Sequence, residues 1–171
     1  YADFGGVSAV PLLADYPNLL VCGTFSKSRS LAGLRLGFAI GSAELISVLE
    51  AVKNSYNSYT VDNLSLLCGA AAMDDEAYFA KTTAAVITTR ERVRRALEQM
   101  GFSVLPSRTN FLFATKAGAS MRELFLYLKQ RHIYIRYFDL PRIDNYVRIT
   151  IGTDAQMDAF LQGTEAFLRG E

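Results

Sequence analysis

"TFSKSRSLAGLRLGFAIG", residues 24–41, places a lysine where a buried strand is expected to end. The apolar run before it, residues 19–25, is typical of a strand inside a core. Lys27 comes two positions after this run, although the ammonium group of a lysine is costly to remove from water. Open α/β sheets bind ligands at the carboxyl ends of their strands, so we expect Lys27 to point into such a crevice.

The side chains around Lys27 indicate what that ligand would carry. A partly desolvated amine close to a second cation is a nucleophile toward carbonyl groups. The hydroxyl groups of Thr24 and Ser26 and the guanidinium of Arg35 are suited to a phosphate. The segment therefore predicts a ligand that bears both an aldehyde and a phosphate. The alternative is that Lys27 extends into water while Arg35 pairs with a carboxylate. A P-loop is excluded, because no G-x-x-x-x-G-K-[ST] occurs.

Composition excludes several classes of protein. The 171 residues are 50% hydrophobic and carry a formal net charge of +1, which favours a globular chain and excludes a nucleic-acid footprint or a basic membrane anchor. No apolar stretch is long enough to span a bilayer. Cys22 and Cys68 lie in apolar runs and favour free thiols in the cytoplasm, and a single histidine gives no basis for a zinc site. Because Tyr1 is not a methionine, we expect a piece of a longer chain.

The pattern of the chain changes after a long helix. Residues 33–41 predict a second strand, and helical patterns follow over residues 42–53, 64–73 and 74–100, with Gly101 as the expected stop. The helix at residues 64–73 is expected to be largely buried. Beyond it, strands are predicted at residues 102–105, 110–114, 133–135 and 146–151, and helices at residues 120–131 and 154–168. We expect a domain boundary inside the long helix, with an α/β portion over residues 1–85 and a small α+β domain over residues 86–171.

A second candidate group lies in "NYVRITIG", residues 145–152. Apolar and polar residues alternate along it, so we expect Arg148 to share a face with Tyr146 and Thr150, opposite Val147 and Ile149. The alternative for Arg148 is an ordinary solvated arginine on a strand.

Several motifs in order resemble the fold-type I pyridoxal-phosphate aminotransferases, and among them the histidinol-phosphate aminotransferase family. They are "YADFGG", "YPNLLVCGTFSKSRSLAGLRLG", "SRTNFLF" and "IYIRYFDLPRIDNYVRITIGT", which together cover nearly the whole chain. The resemblance implies an α/β fold: residues 1–85 would be the end of the mainly parallel sheet of the large cofactor-binding domain, followed by the small α+β domain.

The resemblance also implies roles for single residues. Lys27 would be the Schiff-base lysine that holds pyridoxal 5'-phosphate and then moves the proton. The cofactor phosphate would be held by Arg35, Ser26 and Thr24, and the ring hydroxyl of the cofactor by Tyr1.

The substrate would be held by two arginines. Arg148 would bind the α-carboxylate of the amino acid, and Arg136 the distal phosphate of the substrate. The alternative for Arg136 is a salt bridge with Asp139 or Asp144.

The activity implied by the resemblance is transfer of an amino group between histidinol phosphate and 2-oxoglutarate, which gives glutamate, in a cytoplasmic homodimer. An aromatic amino acid aminotransferase or a decarboxylase of phosphorylated amino acids would use the same lysine and arginines. An inert fragment that binds a phosphate ligand is the alternative of a different class. The aspartate that pairs with the cofactor ring nitrogen would precede Tyr1 by three residues, so the chain by itself is expected to be a poor catalyst.

Overall fold

A computed structural model describes residues 1–171, and the chain divides into two compact units, Tyr1–Thr83 and Ala84–Glu171. The expected assignment of residues 1–85 and 86–171 to two functional domains stays a prediction. No helix combines the length and the apolar character that crossing a membrane requires.

The first unit contains a pair of antiparallel strands, β1 (Leu20–Thr24) and β2 (Gly37–Gly41), with Thr24 opposite Gly37. The chain has the mixed α/β composition that was predicted, and the strand pairs that lie within it are antiparallel. A parallel neighbour needs a long crossover connection, whereas the segment after β1 turns back through a short 3-10 turn at Ala32–Leu34. Within this chain β1 is not buried as predicted, because the two strands cover each other only along one edge and Cys22 stays exposed.

Two helices follow in this unit, α1 (Ala43–Tyr56) and α2 (Asn63–Asp74). Each begins at a side chain that accepts a backbone N–H of the first turn, Ser42 for α1 and Asp62 for α2, as N-caps do. The expectation that α2 is largely buried is wrong: Leu67 is 70% exposed, and only Ser65 and Gly69 are buried. The reason is that α2 is apolar around its whole circumference, and this unit covers one side of it.

The long helix α3 (Glu76–Gln99) ends where Gly101 adopts a left-handed conformation, as predicted. The second unit adds four strands and two helices. They are β3 (Ser103–Val104), β4 (Phe111–Thr115), α4 (Met121–Gln130), β5 (Arg136–Tyr137), β6 (Val147–Thr150) and α5 (Asp154–Arg169). The strands form one antiparallel sheet in the order β3-β4-β6-β5, which is the predicted α+β arrangement.

One face of this sheet carries the core. Leu112 and Ala114 of β4 and Val147 and Ile149 of β6 are almost wholly buried. They pack with side chains of α3, α4 and α5: Val93, Leu97, Met121, Leu124, Leu128, Met157 and Phe160. The period of two along each strand leaves the opposite face to Phe111, Phe113 and Arg148.

The strand predicted at residues 133–135 lies further along the chain, as β5. The backbone N–H of Ile133 still donates to the carbonyl of Leu128, 2.9 Å away, and His132 has a φ of 60°. Arg131 and His132 therefore form the turn that closes α4, and pairing in the sheet begins only at Arg136.

Candidate functional site

Lys27 lies in a turn three residues beyond the end of β1, and its side chain is exposed. Its carbonyl accepts the N–H of Ser30 at 3.1 Å, which closes the turn. No carboxylate or carbonyl of the chain holds its ammonium group. The exposed position of Lys27 is compatible with both alternatives, a solvated lysine and an amine available to a ligand.

Two hydroxyl groups lie next to each other at the start of the same turn. Thr24 Oγ1 donates to Ser26 Oγ at 2.8 Å, and the backbone N–H of Ser26 donates to Thr24 Oγ1 at 3.1 Å. The carbonyl of Leu36, 3.3 Å from Thr24 Oγ1, is an alternative acceptor for the same hydroxyl proton, and it accepts the N–H of Phe25 at 3.1 Å. These bonds fix the turn beside Leu36, the neighbour of Arg35 in the chain.

Arg35 has a left-handed backbone, with φ at 54°, and an exposed side chain. Its Nη1 donates to the carbonyl of Ala32 at 2.9 Å, and the guanidinium makes no ion pair. The expected alternative, a carboxylate partner for Arg35, is therefore wrong. A guanidinium with donors to spare, two hydroxyls and a free amine form a donor set that fits an aldehyde with a phosphate group. The residues present thus suit the cofactor that the resemblance implies.

The first residues of the chain are tied to the turn that carries Lys27. Ser28 Oγ donates to the carboxylate of Asp3, and Ser28 is buried. Asp3 is part of a 3-10 turn, Ala2–Phe4, that Tyr1 precedes. Tyr1 is 54% exposed. The Ser28–Asp3 bond therefore joins the segment of Tyr1 to the segment of Lys27.

Arg148 is half-buried on the face of the sheet opposite the core, as the alternation predicted. Its Nε is buried and has no hydrogen-bond partner. Its guanidinium carbon lies 5.3 Å from the centre of the Phe111 ring and 5.9 Å from that of Phe138. Arg148 is therefore not an ordinary solvated arginine, and it holds a buried donor ready for an acceptor.

Arg136 lies opposite Arg148 in the pairing of β5 with β6. Its guanidinium carbon is 5.4 Å from the centre of the Phe138 ring, and it makes no ion pair with Asp139 or Asp144. The salt bridge considered as its alternative role does not form. The second unit thus brings the two predicted arginines together on one sheet face.

Sequence reasoning missed two features of these sites. The Ser28–Asp3 bond joins residues 25 positions apart, and no local pattern marks such a pair. Phe138 was not assigned a role, although its place two residues after Arg136 puts both on the same side of an extended chain.

We expect Ser28→Ala to destabilise the Lys27 turn, because the Asp3 carboxylate loses its partner. The expected loss in the free energy of unfolding is about 1 kcal/mol, as for one partly exposed hydrogen bond, measured by chemical denaturation. Ser47→Ala, at an exposed position of α1, is the control and should change stability little. Equal stability of both variants would contradict a structural role for this bond.

Comparison with known proteins gives consistent matches. The family model described as aminotransferase class I and II matches residues 1–163. The histidinol-phosphate aminotransferase of Chromohalobacter salexigens is 53% identical over 169 residues, which are 99% of this chain and 48% of that protein. The enzyme of the same name from Aromatoleum aromaticum is 50% identical, with the same coverage. The chain spans about half the length of these relatives.

Solved structures match the fold of the chain. The histidinol-phosphate aminotransferase of Sinorhizobium meliloti, in complex with pyridoxal-5'-phosphate, superposes with a TM-score of 0.79 at 27% identity, over 91% of this chain and 42% of that one. The enzyme of the same name from Clostridium acetobutylicum gives a TM-score of 0.85 over 99% of this chain and 52% of that one. At 20% identity, that second match concerns the fold alone.

Proposed function

Because the chain belongs to the aminotransferase class I and II family, we propose that the full-length protein is a pyridoxal-phosphate-dependent aminotransferase. It would move an amino group between histidinol phosphate and 2-oxoglutarate, in the biosynthesis of histidine. The observation that carries the proposal is the donor set of this turn: the amine of Lys27, the adjacent hydroxyls of Thr24 and Ser26, and the guanidinium of Arg35 without an ion pair. The names of the relatives at 50–53% identity support the choice of substrate.

The residues of the first unit would hold the cofactor. The hydroxyls of Thr24 and Ser26 and the guanidinium of Arg35 would bind its phosphate, and Tyr1 would bind its ring hydroxyl. When bound, the cofactor supplies an aldehyde carbon and a sink for electrons. Lys27 would carry the cofactor and, once released by the incoming amine, accept the proton from the Cα of the substrate.

The two arginines of the second unit would hold the substrate. The buried Nε of Arg148 lacks an acceptor, and a carboxylate offers two oxygens to such a fork of donors. Arg148 would therefore bind the α-carboxylate of 2-oxoglutarate or glutamate, while Arg136, which is more exposed, would bind the phosphate of histidinol phosphate. The two substrates would bind to the same sheet face in turn, 2-oxoglutarate or glutamate through Arg148 and histidinol phosphate through Arg136.

We also propose that the full-length protein is a cytoplasmic homodimer. Leu64 and Leu67 on α2 are 67% and 70% exposed and Tyr59 is 93% exposed, an apolar surface that the rest of the full-length chain or a second copy would cover. Sedimentation of the full-length protein would give the mass of a dimer, whereas the mass of one chain would contradict this part of the proposal.

The role of Lys27 is tested by chemical trapping. Borohydride reduces the C=N bond between pyridoxal and an amine, so we expect it to fix the cofactor on the peptide that contains Lys27. Lys27→Ala should abolish both trapping and transamination, because no other amine takes this position. Lys53→Ala, in exposed α1, is the control and should leave both intact. If wild-type protein mixed with pyridoxal phosphate gives no absorption band and no trapped peptide, the protein is not this enzyme.

The choice of substrate is tested by half-reactions of the full-length protein with histidinol phosphate, phenylalanine and tyrosine. We expect histidinol phosphate to react fastest, because Arg136 offers a partner for its phosphate. A preference for an aromatic amino acid would overturn the assignment and favour an aromatic aminotransferase. Release of carbon dioxide from a phosphorylated amino acid would favour a decarboxylase instead.

Arg148→Lys should weaken the capture of substrate, because a point charge replaces a planar fork. We expect KM for 2-oxoglutarate to rise about 10- to 100-fold, the loss of one charged hydrogen bond, with a smaller change in kcat. Arg122→Lys, at an exposed position of α4, is the matched control. An unchanged KM in the Arg148 variant would contradict the role of this residue.

A further inference from the structure

We propose that Phe138 is a positioning residue, whose ring holds the guanidinium groups of Arg136 and Arg148 in place for the anionic groups of the substrate. The proposal rests on the function proposed above and adds a residue to it. Phe138 itself would bind nothing in the substrate. It would act through the two arginines.

The two arginines are an unfavourable pair in isolation. Arg136 and Arg148 are direct partners across the β5–β6 ladder, and like charges at opposite positions of a sheet repel each other. No carboxylate of the chain forms an ion pair with either of them. Within this chain, therefore, no counter-charge keeps both side chains over the same area of the sheet.

Phe138 is placed to keep both side chains there. Its ring centre lies 5.4 Å from the guanidinium carbon of Arg136 and 5.9 Å from that of Arg148. The negative face of an aromatic ring attracts cations within about 6 Å. The Phe138 ring thus lies within reach of both guanidiniums, and it shares the contact with Arg148 with the Phe111 ring, 5.3 Å away. Arg136 and Phe138, two residues apart, extend from the same side of the chain.

The ring of Phe138 is itself held in place. It meets Phe113 edge to face, with centres 6.0 Å apart and planes at 76°. Phe113 lies opposite Arg148 on β4 and stacks on Tyr146 at 4.8 Å. Phe138, Phe113 and Tyr146 thus form an aromatic row beside the arginines, and Phe138 is half-buried in it.

A ring has a useful property that a carboxylate lacks. A carboxylate would hold the arginines by occupying their N–H donors, and it would cancel the charge that an anionic substrate needs. An aromatic face attracts the cation without accepting its in-plane hydrogen bonds. Phe138 would therefore order both guanidiniums and leave their donors for the substrate.

The test compares Phe138→Leu with Phe138→Tyr in the full-length enzyme. We expect Phe138→Leu to raise KM for histidinol phosphate about 5- to 30-fold, the loss of two cation–π contacts, while kcat changes little. Phe138→Tyr keeps the ring and should restore a KM near that of the wild type. Replacing Phe138 by trifluorophenylalanine keeps the shape but weakens the negative face, so KM should rise as in Phe138→Leu even if the leucine variant folds poorly.

The control is Tyr127→Leu. The guanidinium carbon of Arg131 lies 3.5 Å from the centre of the Tyr127 ring, so this variant also removes a cation–π contact and some packing from the second unit. Tyr127 is part of α4 and contacts neither Arg136 nor Arg148. Its melting temperature should fall while KM stays unchanged. A rise in KM equal to that of Phe138→Leu would mean that loss of stability explains both, and would overturn the proposal.

Variants of the arginines distinguish failure of the role of Phe138 from failure of the proposed function. If Arg136→Ala leaves KM for histidinol phosphate unchanged and Arg148→Lys leaves KM for 2-oxoglutarate unchanged, the function proposed for the pair is wrong. If both raise KM but Phe138→Leu and the trifluorophenylalanine variant do not, only the role of Phe138 is overturned.

Discussion

The period of two along β4 and β6 is the constraint on which the second unit depends. It sends Leu112, Val147 and Ile149 into a core with less than about a tenth of their surface exposed, and it sends Phe113 and Arg148 to the other side. A slip of one residue in the register would exchange the two sets, which would put a guanidinium into the core. Packing of the aliphatic face therefore fixes the place of the polar groups on the opposite face.

The first unit holds its site by different means. Its strands are short and largely uncovered, so the turn with Lys27 depends on hydrogen bonds rather than on burial. The carbonyl of Leu36 takes part twice, with Thr24 and with Phe25. Gly69 lets α2 pass close to Leu36, since a Cβ at this position would lie 2.3 Å from Leu36 Cδ2. The helix thereby supports the residue next to Arg35.

The sequence predicted most elements of the second unit and fewer details of the first. Strong alternation around Arg148 and clear caps mark local structure, because periodicity and capping act over a few residues. The exposure of α2 was not predictable, since an apolar composition does not say which surface covers it. The start of β5 depends on how α4 closes at Ile133. The aromatic row of Phe138, Phe113 and Tyr146 comes from three separate segments, so only the folded sheet brings it together.

Two neighbouring cations without a counter-ion also have a thermodynamic consequence. The mutual repulsion of Arg136 and Arg148 opposes the folded state and is absent once the chain unfolds and the charges separate. An anion that binds both would relieve this repulsion and bind the folded form alone. By linkage, occupancy of the arginine pair would raise the melting temperature of the second unit, and the gain would shrink as salt screens the charges. The concentration of such an anion and the resistance to unfolding would thus be coupled through one sheet face.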